Sequence, residues 1–306
     1  MEKDLLEQSI KFARKKSIFY NTHFSYVRKN DLSENSFRML CGNIGEVTER
    51  KQIGDFIRLY NCKSEDREKD FWKEVISFEG RGFMALDGLN PAVDFITRSV
   101  YGVDPRTMYY DYEKINEYDY MICDEKHLWD IISKHPEVKT DKVIVLQDRD
   151  TVLPDVTAQR WNAQVIRVKY IMEVGLPLGY GEKEYRIRKD YHACCLNPST
   201  MEKVPDGEYG LLTVTTLQDD CQPLINYVTD HFTRINRESG LLERDDDSDP
   251  VIRLLNVVYS SKGIKDFSVK EGKLRISADE SFDEFELVYQ LKKNRVEVRL
   301  DEVKRA

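Results

Sequence analysis

Apolar residues recur at helical spacing through the first hundred positions of the chain. Leu6, Ile10 and Ala13 share one face of a predicted amino-terminal helix. Asp31-x-x-Glu34 has the form of a capping box, which predicts a short helix ending at Gly42. Ile53, Phe56, Ile57 and Tyr60 make one apolar stripe, and Trp72, Val75 and Ile76 make another that stops near Gly80. Pro91, following Asn90, suits the first position of a helix that buries Phe95 and Ile96 before Gly102.

From about residue 106 the pattern changes, and short β-rich runs alternate with helical ones. Strands are expected over Tyr118 to Cys123, Val143 to Leu146 and Leu211 to Thr216, with a helix over Glu125 to Ser133. Trp161 to Val174 fits both periods, and its β-branched content favours a strand. Tyr185, Ile187 and Tyr191 suggest a further strand. Ile225, Val228, Phe232 and Ile235 follow Pro223 at helical spacing, which predicts a helix closed by Gly240.

The charged run Glu243-Arg244-Asp245-Asp246-Asp247-Ser248-Asp249-Pro250 reads as a solvated connection. Beyond it, Leu287, Tyr289 and Leu291 lead through Lys292-Lys293-Asn294 into Val296, Val298 and Leu300, the alternation of a hairpin. The expected class is α+β: a helical layer over residues 1–105, a mixed α/β region over 106–242 and an antiparallel β part over 251–306. The three could form one continuous domain.

Composition narrows the classes. A chain of 306 residues with 41% hydrophobic residues, 17 Tyr and 13 Phe has the apolar surface to bury a sizeable core. The amino terminus has no apolar leader segment, and no apolar run approaches the roughly 20 residues of a membrane span. The six cysteines have no C-x-x-C spacing, so a reducing, cytoplasmic setting is expected. A net charge of -8 opposes generic binding to nucleic acid, which needs clustered cations. Alanine is scarce while Lys, Ile, Asp and Tyr abound, a bias of AT-rich genomes that suggests a low-GC bacterium, or a phage or mobile-element origin.

The sharpest chemical signal is Val143-Ile144-Val145-Leu146-Gln147-Asp148-Arg149-Asp150, an apolar strand ending in two carboxylates one residue apart. Such a pair can share a hard divalent cation, Mg²⁺ or Mn²⁺, that leaves positions open for a phosphate. The D-x-D after an apolar strand resembles the metal site of GT-A glycosyltransferases. Asp148-x-Asp150-x-Val152-Leu153 also resembles the first motif of haloacid-dehalogenase-type phosphatases, which would make Asp148 a nucleophile and Asp150 an acid/base. Gln147 and the absence of companion motifs favour a different reading, an exposed turn that Asp stabilises by bonding its own backbone.

Weaker constellations complete the inventory. His192 and Cys194 would share one face of a strand, as a base and a thiol might, though buried cysteines are commonly core residues. His23, His127, His135 and His231 lack metal-ligand spacing. Asp266 and Glu271-x-Lys273 echo a nuclease site but fall around a Gly272 turn. Arg14 to Lys29 interleaves cations and rings, and Tyr101, Tyr109, Tyr110, Tyr112, Tyr118 and Tyr120 could line an interface. No P-loop, G-x-G-x-x-G or G-x-S-x-G occurs. The resulting expectation is a non-enzymatic interaction or assembly protein with a protein partner or self-association. Its alternative is a metal-dependent enzyme of nucleotide-sugar or phosphate chemistry at Asp148 and Asp150.

Overall fold

Helices and mixed parallel and antiparallel strands make up the computed structural model, which gives an α+β fold. It describes residues 2–23, 25–34, 63–77, 79–86, 96, 112–171, 173–174, 177–217, 223–236, 238–245 and 249–305. The chain divides into two compact units. The first draws on Met1–Ser77, Gly88–Thr107 and Val168–Asp245, the second on Phe78–Asp87, Met108–Arg167 and Asp246–Ala306. Residues 1–105 and 106–242 are thus divided between the units, whereas 251–306 fall wholly in the second.

In the first unit, helix α1 (Glu2–Lys16) buries Ala13, and α2 (Ile18–Thr22) starts at Ser17, whose hydroxyl accepts the Tyr20 N–H at 3.4 Å. Helix α3 (Lys29–Glu34) begins before Asp31, whose carboxylate accepts the Arg28 N–H at 2.7 Å; the expected capping box therefore lies inside the helix it was to open. Helix α4 (Lys63–Val75) buries Glu68, Phe71, Trp72 and Val75, the i, i+3, i+4, i+7 set that one helix face requires. The stripe at residues 53–60, most of the helix expected after Pro91, and Tyr101, Tyr109 and Tyr110 lie outside the described residues.

Seven strands follow in this unit: β5 (Pro177–Gly181), β6 (Tyr185–Ile187), β7 (Tyr191–Leu196), β8 (Gly210–Thr216), β9 (Tyr227–Thr233), β10 (Ile235–Asn236) and β11 (Leu241–Leu242). Strands β7, β8 and β9 form an antiparallel sheet, and β5–β6–β11–β10 pair antiparallel in that order. Tyr185, Tyr191, Leu212, Val214 and Tyr227 anchor the core. The helix expected after Pro223 is strand β9 instead. Tyr227, Val228, Thr229, Phe232 and Thr233 are β-branched or aromatic, so the i, i+4 coincidence of Val228 and Phe232 misleads.

The second unit is built on three parallel strands, β1 (Gly82–Ala85), β2 (Tyr120–Asp124) and β3 (Lys142–Gln147), in register with Ala85 beside Cys123 and Asp124 beside Leu146. Their nearly continuous burial is what a parallel sheet covered on both faces demands. Helix α5 (Glu125–Lys134) follows β2, and α6 (Leu153–Trp161) follows β3 and stops at Asn162 in the left-handed region (φ 53°). Strand β4 (Gln164–Tyr170) then carries the chain into the first unit.

The carboxyl-terminal part adds α7 (Pro250–Ser260), β12 (Ile264–Lys270), β13 (Lys273–Ala278), α8 (Glu284–Lys293) and β14 (Arg299–Arg305). Strands β12 and β13 pair antiparallel, whereas β13 and β14 pair parallel. The hairpin expected over Leu287 to Leu300 is therefore a helix and a strand: Asp283 caps α8 through the Glu286 N–H, and Leu287 and Leu291 are buried one helical turn apart. Helix α7 stands where the antiparallel β part was expected to begin; Asp249, at the end of the run read as connection, is its N-cap and Pro250 its first residue. Trp129 of α5, Tyr259 of α7 and Phe267 of β12 meet in one aromatic cluster inside the unit's core.

Candidate functional site

The carboxyl ends of β2 and β3 bring together the polar residues of the second unit, and in parallel sheets this end is where ligands bind. Strand β2 delivers Asp124, which caps α5. Its Oδ1 accepts the His127 N–H at 2.9 Å and lies 2.8 Å from His127 Nδ1. Glu125, next in sequence, accepts Gln147 Nε2 at 2.9 Å and the Thr151 hydroxyl through a short bond. Gln147 is fully buried at the end of β3. Its Nε2 also donates to the Arg149 carbonyl at 3.2 Å, while its Oε1 has no donor among the described residues.

The loop after β3 is tightly specified. The Thr151 N–H bonds the Arg149 carbonyl at 3.1 Å, and Thr151 Oγ1 accepts the Leu153 N–H at 3.3 Å as α6 begins. Arg149 reaches Asp249 Oδ2 at 3.0 Å, and the Val152 N–H donates to Asn256 Oδ1 at 2.8 Å, so α7 is tied to the same loop. The two candidate metal ligands part company here. Asp148 is 57% exposed with Arg149 Nε at 3.9 Å, whereas Asp150 is buried. Among the described residues no group of three or more His, Cys, Asp or Glu could hold a metal ion.

The site is electronegative. Burial, then the charges of Asp124 and Glu125, push the Cys123 thiol well up, and burial with Glu125 and Asp124 raises the Tyr259 hydroxyl. Cys123 is therefore an inert core thiol rather than a nucleophile.

The remaining candidates lie elsewhere. His192 and Cys194 do share a strand, β7, opposite Thr215 and Thr213 of β8, and both are half-buried. Desolvation, reinforced by Cys194, raises the Tyr26 hydroxyl. Asp266, Glu271 and Lys273 belong to the β12–β13 hairpin, with Glu271 and Gly272 both at positive φ in its two-residue turn. In the basic and aromatic stretch Phe19 and Tyr20 are core residues, and the Tyr20 hydroxyl accepts the Ile225 N–H.

Sequence reasoning missed the buried polar centre around Asp245. Asp245, assigned to a solvated linker, is buried with Lys169 Nζ at 2.7 Å and His231 Nδ1 at 2.8 Å. Burial alone would raise its carboxyl, but the Lys169 charge and the His231 contact overcome that and hold it far below the usual range. His231 thus sits on a strand against a carboxylate, not on a helix. The only hint was Lys169 between Val168 and Tyr170, a charge inside an apolar run.

No family model and no curated protein matches the sequence. Solved structures do match in fold. 2-Hydroxyisobutyryl-CoA ligase in its postadenylation state with 2-HIB-AMP superposes with a TM-score of 0.72 at 12% identity, covering 99% of this chain and 84% of the ligase. The chain has this ligase's fold. O-succinylbenzoate Coenzyme A synthetase from Bacillus subtilis, in complex with AMP, matches 80% of the chain and 62% of its own length at TM-score 0.54 and 10% identity. ATP-bound MatB from Rhodopseudomonas palustris matches 81% and 61% at TM-score 0.52 and 11% identity.

This likeness overturns the expectation of a non-enzymatic interaction or assembly protein of phage or mobile-element origin. The three structures cited hold acyl-AMP, AMP and ATP, respectively.

Proposed function

We propose that the chain is an acid–CoA ligase-type enzyme that activates a carboxylic acid as an acyl adenylate and passes the acyl group to a thiol. The observation that carries the reading is the superposition of 99% of this chain on a ligase holding its acyl-AMP. In the first half-reaction the substrate carboxylate attacks the α-phosphorus of ATP and pyrophosphate leaves. In the second, the thiol attacks the acyl carbon and AMP leaves with the bonding electron pair.

The strand-end loop of Gln147, Asp148, Arg149, Asp150 and Thr151 is the nucleotide-facing part in this reading. The buried Gln147 Oε1 is an acceptor suited to an N–H donor such as an exocyclic base amine. The cell interior suits both the substrates and the free thiols of Cys123, Cys194 and Cys195. Among the described residues no helix is long and apolar enough to cross a membrane.

Carboxylate-dependent exchange of labelled pyrophosphate into ATP, run with 2-hydroxyisobutyrate and a panel of short and branched acids, tests the proposal. Exchange with at least one acid is expected. Its absence across the panel, with a folded protein that also shows no thermal response to ATP, overturns the reading.

A further inference from the structure

The solvent face of the β12–β13–β14 sheet carries a charge pattern that sheet energetics disfavour. Lys270 stands directly opposite Lys273 in the antiparallel pair, and Lys273 stands opposite Arg299 in the parallel pair. All three are exposed. Like charges placed directly across strands are destabilising. Neighbouring strands lie about 5 Å apart, so the three cations form a row about 10 Å long.

The rows beneath it are balanced differently. Arg275 Nε bonds Asp301 Oδ2 at 3.0 Å, and Lys304 lies 3.8 Å from Glu302. Within the top row only Lys273 has a carboxylate within 4 Å, Asp301 at 3.9 Å, while Lys270 and Arg299 have none among the described residues. The two-residue turn at Glu271 and Gly272, with φ of 52° and 71°, fixes the register that sets Lys270 against Lys273.

We infer that the row Lys270–Lys273–Arg299 binds the diphosphate group of a small molecule. The long Lys and Arg side chains of the row can converge on a diphosphate, whose charge they match, and it turns three mutually repelling cations into a charge-assisted clamp. A long nucleic acid is disfavoured, because a chain of net charge -8 offers it one short row rather than a continuous basic track. The inference does not rest on the ligase reading.

Titration of the full chain with inorganic pyrophosphate, without ATP, carboxylic acid or Mg²⁺, tests it by calorimetry and thermal melting. Wild-type protein should bind saturably, and the double variant Lys270→Gln/Arg299→Gln should bind about tenfold more weakly, a loss of ~1.4 kcal/mol. In phosphate-free, low-salt buffer that variant should melt no lower than wild type, since it removes repulsion. Binding unchanged in the variant, no binding by wild type, or a variant that melts lower would overturn the inference. Stronger, length-dependent binding of a single-stranded DNA through the same three residues would also overturn it, in favour of a nucleic-acid surface.

Discussion

Lys169 Nζ lies 2.7 Å from Asp245 Oδ2 with both side chains buried, and this pair closes the polar interior of the first unit. Removing one member leaves the other charge stranded, so Lys169→Met or Asp245→Asn should each cost about 3–5 kcal/mol of stability. Chemical denaturation of the purified variants measures the loss.

The same carboxylate predicts the acid limb of the stability profile. Its folded pKa is depressed, so its contribution is complete above the unfolded value near 4 and falls as acid protonates the unfolded chain first. Melting temperature should decline between about pH 5 and pH 2, and the decline should be shallower in Asp245→Asn than in wild type. Equal slopes in both proteins would remove Asp245 from the account.

Asp148 and Asp150 should not behave alike. Exposed Asp148→Asn should change stability by no more than about 0.5 kcal/mol, whereas buried Asp150→Asn should cost about 1–3 kcal/mol. The proposal that the pair holds Mg²⁺ or Mn²⁺ is read in the same preparations. A metal-induced rise in melting temperature that both substitutions abolish would support it, and the absence of any rise in wild type would dismiss it.

Thiol reactivity should follow burial. In the native protein half-buried Cys194 should alkylate before buried Cys195, and Cys123, whose thiol is also pushed up, should react only on unfolding. Time-resolved mass spectrometry gives the order, and full denaturation without reductant should give six adducts.

Trp129 and Tyr259 rings sit 4.9 Å apart. Trp129→Ala should destabilise the second unit by about 3–5 kcal/mol and speed proteolysis within α7. A variant with wild-type protection there would show that α7 is held by other contacts.

What the sequence disclosed and what it hid divide along physical lines. Strands β2 and β3 and helix α5 were legible because buried apolar runs and one-sided helices leave strong periodic marks, as in Val143 to Leu146 and Leu128 to Ile132, whereas the four-residue β1 lay in a region read as helical. Strand β9 and helix α8 were misread where Val228 and Phe232, or Leu287 and Leu291, satisfy two periods in a short window and only tertiary burial decides. Of the candidate site, Asp148 and Asp150 were visible, but the Glu125 bonds to Gln147 and Thr151 were not. They join residues 22 and 26 positions apart, and no local pattern records such a meeting. Asp245 was hidden similarly, because its partner Lys169 is 76 positions away.

The parallel pairing of β13 with β14 also sets an order in time. Strands β12 and β13 meet across a two-residue turn, a step that hairpins complete in roughly 1–10 μs. Strand β14 reaches β13 only after the intervening chain has crossed over through α8. A chain truncated before Arg299 leaves one edge of β13 open to strand exchange, and the seven-residue β14 is what covers that edge.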